Sequence, residues 1–364
     1  RTSERRMNIL QVTPRYPPQS GGVETHVKEI SERLVEYGHR VTVVAADAGG
    51  KGNRRETRNG VRVRRYRSLA PDDAMHVCPQ ITKAVRDSDA DVVHAHNYHS
   101  FPLFFAALGV GDRRFVVTTH YHGGSASSFR DRLLVVYRPF GRWAIRRADQ
   151  VVAVSGWEKD QLASDFSVEA TVIPNGVETE RFSTAKPFEW ERRYLLTVGR
   201  LEEYKGVQHV IRTMSDLPEY DLLVAGSGPY REELERVARA EGVEERVEFL
   251  GYVDDEVLPE LYAGAEVYVT LSEFESYGIT VAEALAAGTP CVVQPKRALT
   301  DWSMKKSVTS VDEVRAKSLC RAVNNAIESG MFTENIVSWE NVAKECLVVY
   351  QSSNDSNSFD TISG

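Results

Sequence analysis

The chain has 364 residues, of which 42% are hydrophobic and 27% charged, and its formal net charge is −7. This length exceeds what one hydrophobic core usually holds, so two domains are expected. No apolar run approaches the roughly 20 residues of a membrane-spanning helix. The first residues show no apolar segment of a secretion signal. The four cysteines are widely scattered, which predicts a reduced, cytoplasmic protein without structural disulfides or zinc.

Short β-branched runs alternate with helical patterns over the first half of the chain. Apolar residues at helical spacing predict a helix over 22–38 that ends at Gly38. Strands are predicted at residues 7–12, 40–46, 90–96, 115–120 and 150–155. Continuous apolar runs of this kind are typical of parallel strands buried on both faces. The series therefore predicts a doubly wound α/β sheet.

Near residue 174 the strand pattern gives way to a stretch rich in Pro, Gly and charge, IPNGVETERFSTAKPFEWERR, which indicates a linker. The alternation resumes with a strand at 194–199. Two Rossmann-like domains, 1–180 and 190–337, are therefore expected to face each other across a cleft, with ligands at the carboxyl ends of the strands. The polar tail, 352–364, is predicted to be disordered.

Glycines and histidines follow the predicted strands of the first domain. Gly21 and Gly22 precede a helix, where the backbone can approach an anion held by free N–H groups, although a simple tight turn is the alternative. Five of the nine histidines lie at two strand ends, namely His94, His96, His99, His120 and His122. No Cys or carboxylate recurs at ligand spacing, so a polar wall for sugar hydroxyls and phosphate is expected here rather than a metal centre.

Two cations follow the first strand of the second domain. Arg200 and Lys205 lie on the loop after Gly199 and suit phosphate oxygens, although either alone could be an ordinary surface residue. The later turn VAGSGP, which contains Gly226, has only a GxG, and Pro229 interrupts the dinucleotide fingerprint. A nicotinamide dehydrogenase is therefore disfavoured.

The stretch SEFESYGITVAEALAAG (272–288) carries two glutamates around a Tyr-Gly turn. Glu275 is predicted on the turn and Glu283 in the first turns of the next helix. The N-terminal N–H groups of that helix, near residues 278–280, can receive a phosphate. Carboxylates on either side can accept hydrogen bonds from vicinal hydroxyls. For Glu283 the alternative is an acid that merely favours the helix dipole.

A basic and aromatic segment occupies residues 127–149, and Pro139 is expected to break or kink it into two short helices. Residues 1–185 carry 27 Lys and Arg against 21 Asp and Glu, whereas the remainder carries 18 against 31. A basic, aromatic segment in a cationic half suits an anionic membrane surface, with residues 128–147 in contact. The alternative is a core-facing stripe with a solvated cationic face.

Taken together, these motifs resemble the retaining family 4 glycosyltransferases of the GT-B fold. The matching segments follow the family's order and cover roughly residues 8–294 and the last helix. They include GGVE (21–24), DVVHAHN (91–97), TTHYHG (118–123), IPNGVETERF (173–182), VGRLEEYKG (198–206) and the Glu-x7-Glu stretch.

This resemblance implies roles for individual residues. Arg200 and Lys205 would bind the donor diphosphate, and Glu283 the nucleoside ribose. Glu275, with the backbone at 277–279, would contact the transferred sugar and phosphate. The implied catalytic set is therefore His120, Arg200, Lys205 and Glu275.

On the first domain, Gly22 would approach the diphosphate, and His120 would contact the sugar near the reacting centre. His122 is the alternative, because HYH leaves the alignment open. Asn175 would mark the turn at the hinge, and a helix over 338–351 would cross back to the first domain. The implied donor-binding set also includes Gly21, Gly199, Gly226, Tyr277, Gly278 and Ile279.

The resemblance implies transfer of a sugar from a UDP- or GDP-sugar to a glycan or lipid-linked acceptor, without a metal or cofactor and without nucleic acid as a partner. Peripheral association with the inner face of the cell membrane is the expected location. The alternatives are a UDP-sugar epimerase of the same fold and a non-catalytic nucleotide-sugar-binding protein. The chain departs from the family at 294–310, where a Gly-Gly segment followed by Pro-Glu is usual, so donor choice is expected to depend on this segment.

Overall fold

The computed structural model describes residues 5–19, 21–47, 53–69, 75–123, 128–330 and 334–352, without the side chains of residues 47 and 128–133. Over these residues the chain forms two α/β domains, each built on a mainly parallel sheet. The two Rossmann-like units predicted from the sequence are thus confirmed. The predicted disordered tail lies outside the described residues apart from Ser352.

Eight strands form the first sheet: β1 (Asn8–Thr13), β2 (Arg40–Asp47), β3 (Arg54–Arg58), β4 (Val61–Arg67), β5 (Val92–His96), β6 (Arg114–Thr118), β7 (Gln150–Ala153) and β8 (Thr171–Val172). Their spatial order is β3-β4-β2-β1-β5-β6-β7-β8, and every neighbouring pair is parallel except β3 with β4. The central strands β1 and β5 are almost wholly buried, because helices cover both faces of the sheet.

The antiparallel hairpin of β3 and β4 was missed in the sequence. Its turn, Asn59-Gly60, has φ angles of 45° and 78°, the left-handed conformation that two-residue hairpin turns require. Because β3 is exposed along its whole length, no apolar run marked it as a strand. The Asn-Gly pair was the available signal.

The helices of the first domain are α1 (Gly22–Glu36), α2 (Gln80–Arg86), α3 (Pro102–Gly109), α4 (Ser128–Arg146) and α5 (Gly156–Phe166). The predicted break of α4 at Pro139 is wrong, because the helix continues through it. A proline removes one intrahelical hydrogen bond, here to the carbonyl of Val135. Val135 is exposed, so water can replace the lost bond. No helix in the described ranges is long and apolar enough to cross a bilayer.

Six strands form the second sheet: β9 (Tyr194–Val198), β10 (Asp221–Ala225), β11 (Val247–Gly251), β12 (Val267–Thr270), β13 (Cys291–Val293) and β14 (Val308–Ser310). Their order is β11-β10-β9-β12-β13-β14, and all are parallel. The remaining helices are α6 (Thr179–Ser183), α7 (Val207–Thr213), α8 (Arg231–Ala240), α9 (Leu258–Gly264), α10 (Ile279–Ala287), α11 (Leu299–Trp302), α12 (Ala316–Ser329) and α13 (Trp339–Gln351).

The last helix, α13, packs on the first domain although it follows the second in sequence. Trp339, Val342 and Tyr350 join the core formed by β1, β2 and α1. The chain thus crosses between the domains twice, and the crossings touch, because Val177 pairs with Ser338. The two crossings pack so closely that a Cβ on Gly176 would lie 2.5 Å from the backbone nitrogen of Trp339.

Candidate functional site

A cavity of about 380 Å³ lies between the two domains, at the carboxyl ends of strands from both sheets. The loops after β1, β5 and β6 form one wall, and the loop before α10 forms the opposite wall. Nine residues predicted from the sequence line this cavity together: Gly22, His99, His120, His122, Asn175, Glu275, Tyr277, Gly278 and Ile279.

His120 lies just after β6 and is held in an unusual backbone conformation. Its φ is 46°, in the left-handed region that only a few per cent of residues other than glycine adopt. The buried carboxylate of Glu158 fixes this loop. It accepts hydrogen bonds from the Thr119 hydroxyl at 2.5 Å and from the Tyr121 N–H, on either side of His120. Burial raises the pKa of Glu158 to about 7.

The His120 ring belongs to a buried cluster with His26 and His96. One ring nitrogen of each can approach a common point, and these three nitrogens lie within 4.8 Å of one another. Two of the rings also use a nitrogen in a hydrogen bond, His26 Nδ1 with Asn175 Oδ1 and His96 Nε2 with Gln11 Oε1, each at 2.7 Å. Burial lowers the pKa of His26 to about 4, so its ring is neutral at physiological pH.

This cluster bears on the expected absence of a metal. The sequence argument considered only the five strand-end histidines and overlooked His26, which α1 contributes. Three neutral imidazoles are a ligand set that transition metals accept. The residues would therefore fit such an ion, and the expectation of a metal-free enzyme stays a prediction.

His122 also lines the cavity, but its surroundings differ from those of His120. Its ring stacks on His99 with centroids 3.9 Å apart, and its carbonyl accepts a hydrogen bond from Arg297. His120 is buried, whereas His122 is only partly buried. The Nε2 of His120 has no hydrogen-bond partner among the described atoms.

The opposite wall is the turn before α10. Gly278 has a φ of 87° and begins the helix, so the first N–H groups of α10 have no partner within the helix. With Tyr277 and Ile279, it lines the cavity. The indole of Trp302 donates a hydrogen bond of 2.5 Å to the Tyr277 carbonyl and supports this turn. The helix start therefore lies in the cavity wall, and phosphate binding there stays a prediction.

Lys205 and Glu275, predicted from distant parts of the sequence, form an ion pair of 2.6 Å. Glu275 lines the cavity, whereas Lys205 lies outside its lining. Burial alone would lower the pKa of Lys205, but the adjacent Glu275 carboxylate outweighs it, and the pKa is raised. Arg200 lies on the same loop as Lys205. Its side chain is 67% exposed, and its one ion pair among the described residues is with Glu202 at 3.1 Å, so it can turn towards a ligand.

Glu283 lies apart from Glu275. It is not among the residues that line the cavity, and its carboxylate accepts a 3.0 Å hydrogen bond from the Tyr262 hydroxyl. Burial raises the pKa of Glu283 to about 7. The two glutamates of the Glu-x7-Glu stretch therefore have different partners.

Three predicted glycines lie outside the cavity lining. Gly199 and Gly226 pack against each other so closely that a Cβ on Gly226 would lie 1.9 Å from the Gly199 carbonyl oxygen. This contact brings the loops after β9 and β10 together beside Arg200. Gly21 is the N-cap of α1, next to Gly22 in the cavity wall.

Several residues of the cavity were not singled out in the sequence. Glu24, at the start of α1, faces the cavity together with Arg15 and Asn97. Burial raises the pKa of the Glu24 carboxyl. Arg15 follows β1 directly, which is the same signal that pointed to Arg200. Glu24 stood inside the GGVE motif, but nothing marked it as facing the cleft rather than solvent.

The two walls offer complementary chemistry. The second-domain wall provides a helix N-terminus and the carboxylate of Glu275, and the loop after β9 carries Arg200 and Lys205 just outside the cavity lining. Together these groups can hold a phosphorylated group and bind hydroxyls. The first-domain wall provides a buried, neutral histidine and a carboxyl group. A ligand with phosphates on one side and a reacting sugar carbon beside His120 would fit between them.

The chain is similar to known glycosyltransferases over most of its length. The family described as Glycosyltransferase Family 4 matches residues 20–181, and the family described as Glycosyl transferases group 1 matches residues 178–339. The glycogen synthase of Mycobacterium tuberculosis is 30% identical, over 79% of this chain and 77% of that protein.

Two further proteins are informative. A GDP-mannose-dependent alpha-(1-6)-phosphatidylinositol monomannoside mannosyltransferase of Mycolicibacterium smegmatis is 28% identical, over 88% of this chain and 89% of that protein. Among solved structures, HepE of Anabaena in complex with UDP and glucose has a TM-score of 0.75 at 18% identity and covers 95% of this chain and 100% of that chain. At that identity the likeness shows the fold, which is of the GT-B type.

Proposed function

Because the chain belongs to the family 4 glycosyltransferases, we propose that it moves a sugar from a UDP- or GDP-sugar to a lipid-linked or glycan acceptor, with retention of the anomeric configuration. The observation that carries this proposal is the cavity between the domains, where the N-terminus of α10 and Glu275 lie across from His120, and Glu275 is paired with Lys205.

The donor diphosphate would bind at the second-domain wall. The N–H groups at the start of α10, Lys205 and Arg200 would neutralise the charge that develops on the leaving diphosphate. Stabilising that charge and positioning the acceptor would supply most of the rate acceleration. With these groups in place, a divalent cation is not required.

Retention would proceed without an enzyme nucleophile. A retaining glycosidase needs two carboxyl groups about 5–5.5 Å apart, one acting as acid and one as nucleophile. Here Glu275 is paired with Lys205 and Glu283 with Tyr262, which favours binding roles for both. The leaving phosphate oxygen would accept the proton of the acceptor hydroxyl on the face where the new bond forms.

A lipid-linked acceptor is supported by α4. Along this helix Val135, Val136, Phe140 and Trp143 are exposed, and the exposed side chains of Arg138 and Arg142 lie among them. Apolar side chains flanked by cations suit the surface of an anionic membrane. The Mycolicibacterium relative is named for a phosphatidylinositol mannoside acceptor, which is consistent with this choice. The enzyme would work at the cytoplasmic face of the membrane.

A panel of UDP- and GDP-sugars in a thermal-shift assay, followed by measurement of donor hydrolysis and of the product anomer by NMR, tests the proposal. A shift with one donor, turnover and a retained anomer are expected. Binding without any turnover would favour the nucleotide-sugar-binding protein. Conversion of the UDP-sugar to its epimer would identify an epimerase. No shift with any donor would contradict the proposal.

A further inference from the structure

The segment that departs from the family, 294–310, lies behind the donor wall and reaches the first domain. None of the described residues that line the cavity comes from this segment. Arg297 has a φ of 52°, a left-handed conformation that is disfavoured for a side chain other than Gly, Asn or Asp. A strained backbone at an arginine indicates that the side chain of Arg297 has a function.

On the second-domain side, Arg297 grips the loop that carries Glu275. Its Nε donates a hydrogen bond of 2.8 Å to the Glu273 carbonyl. Its guanidinium carbon lies 4.3 Å from the centroid of the Phe274 ring, within range of a cation–π contact. Together with the Trp302 bond to the Tyr277 carbonyl, this contact ties the segment to both ends of the turn 273–278.

On the first-domain side, the same guanidinium donates to the carbonyl of His122 and lies 5.7 Å from the ring centroid of Trp157. Asp301 adds a second connection, because its Oδ2 accepts a 3.1 Å hydrogen bond from the Trp157 N–H at the start of α5. Two glycines leave room for these side chains. A Cβ on Gly123 would lie 2.5 Å from Arg297 Nη1, and one on Gly156 would lie 3.2 Å from Asp301 Oδ2.

The first turn of α5 connects these contacts to the reacting side of the cavity. Glu158 follows Trp157 directly, and its carboxylate holds Thr119 and Tyr121 around His120. Its second oxygen accepts a 2.6 Å hydrogen bond from the Val154 N–H. A continuous path of packed and hydrogen-bonded groups therefore joins the loop of Glu275 to the loop of His120.

We propose that Arg297 and Asp301 form an interdomain clasp that positions the loop of His120 against the donor loop 273–278. Arginine suits this role because its planar fork donates in two directions while it stacks on aromatic rings, which lysine cannot do. Both residues are positioning residues, since neither lines the cavity. The effect on turnover rests on the proposed function, but the clasp itself does not.

The clasp is tested first without any donor. Arg297→Lys and Asp301→Ala are compared with wild type and with Lys296→Ala, which removes an ion pair to Glu273 on the same loop without touching the first domain. Small-angle X-ray scattering should show a larger radius of gyration for the two clasp variants. Backbone amide hydrogen exchange of residues 155–160 should be faster in both variants. In Asp301→Ala the Trp157 N–H loses its acceptor, and in Arg297→Lys the Trp157 ring loses its contact with the guanidinium. Wild-type values for either clasp variant on both measurements would overturn the proposal.

Turnover is then measured with whichever donor the wild type uses. We expect kcat to fall about 10- to 100-fold in Arg297→Lys, since a misplacement of about 1 Å can cost that much. The dissociation constant of the donor should stay near the wild-type value, because the phosphate-binding groups remain. An unchanged kcat in a variant whose domains have separated would overturn the positioning role. A wild type without turnover would contradict the proposed transferase and leave the scattering result standing.

Discussion

At the scale of single residues, the two histidines of HYH can be told apart by their surroundings. His120 is buried, adopts the left-handed conformation and presents an unpartnered Nε2 among the described atoms. His122 stacks on His99. Asparagine tolerates the left-handed conformation, so His120→Asn removes the imidazole with little backbone strain.

We expect His120→Asn to lower kcat by about 10²–10³-fold, as the loss of a group acting at the reacting centre does. His122→Asn, the matched control, should lower kcat by less than about tenfold. Steady-state kinetics with circular dichroism as a check of folding measures both. A larger loss in His122→Asn would move the active-site role to His122.

Lys205 is the second residue whose role can be measured directly. Its ammonium pairs with Glu275 beside the start of α10, where the leaving diphosphate is expected. Lys205→Ala should reduce turnover by about 10²–10³-fold, because it removes charge that stabilises the transition state. Lys317→Ala, an exposed lysine of the same domain, should have no effect. Near-normal turnover of Lys205→Ala with an intact thermal transition would contradict the assigned role.

The cluster of His26, His96 and His120 leads to a prediction about metals. Because Arg200, Lys205 and the start of α10 can balance the diphosphate charge, dialysis against EDTA should leave kcat unchanged. Elemental analysis of the untreated enzyme should find less than about 0.1 metal per chain, far below the stoichiometric content of a structural site. A stoichiometric metal that is lost in His26→Ala would show that the cluster is a metal centre.

At the scale of elements, α10 joins the donor turn to a buried carboxyl. The pKa of Glu283 is about 7 in the folded chain, above its ordinary value of 4.5, because burial disfavours the charge. The stability contributed by the neutral form is therefore fully present below about pH 4.5 and is lost as the pH rises through about 7. Each pKa unit corresponds to about 1.4 kcal/mol.

Glu283→Gln should accordingly flatten the dependence of the free energy of unfolding on pH. The amide does not ionise and can still accept the hydrogen bond from Tyr262. Between pH 5 and pH 8 the free energy of unfolding of the wild type should fall by up to about 3 kcal/mol more than that of the variant. Urea denaturation at each pH measures this, and Glu232→Gln, an exposed acid on α8, should follow the wild type. Parallel profiles for wild type and Glu283→Gln would contradict the buried, neutral carboxyl.

The elements also show what could be predicted from sequence. Apolar runs revealed the parallel strands of both domains. Because parallel strands end at one edge of a sheet and the two sheets were expected to face each other, Gly22, His120 and Glu275 could be expected near one cleft. The exposed β3 has no apolar run, and only the Asn-Gly pair of its turn indicated the hairpin. The continuity of α4 through Pro139 could not be recognised, because water can replace the hydrogen bond that the proline removes. The roles of His26 and Arg297 depend on contacts between distant elements, which no local pattern records.

At the scale of the whole molecule, charge is divided between the domains. The first 185 residues have an excess of six positive charges, and the remainder has an excess of thirteen negative charges. An anionic bilayer would therefore attract the first domain and repel the second.

Not every cation of the predicted membrane-facing segment, residues 128–147, is available to a bilayer. Arg146 and Arg147 donate to the Phe166 and Ala107 carbonyls, and the side chains of residues 128–133 lie outside the described ones.

Among the described side chains of α4, Arg138 and Arg142 are the exposed cations that remain once Arg146, which donates to a carbonyl, is set aside. They lie beside the exposed Phe140 and Trp143. Replacing both arginines with glutamine should weaken co-sedimentation with phosphatidylserine or phosphatidylinositol vesicles by roughly 10- to 30-fold, since each basic residue near an anionic surface contributes about 1 kcal/mol.

The matched control is Arg236→Gln with Arg239→Gln on α8, which changes the net charge equally but lies on the second domain. It should bind vesicles at least as well as the wild type. High salt should weaken wild-type binding, because screening shortens the reach of the surface potential. Turnover of a water-soluble acceptor should be the same in all variants. Equal sedimentation of the α4 variant and the wild type at low salt would remove α4 as the membrane contact.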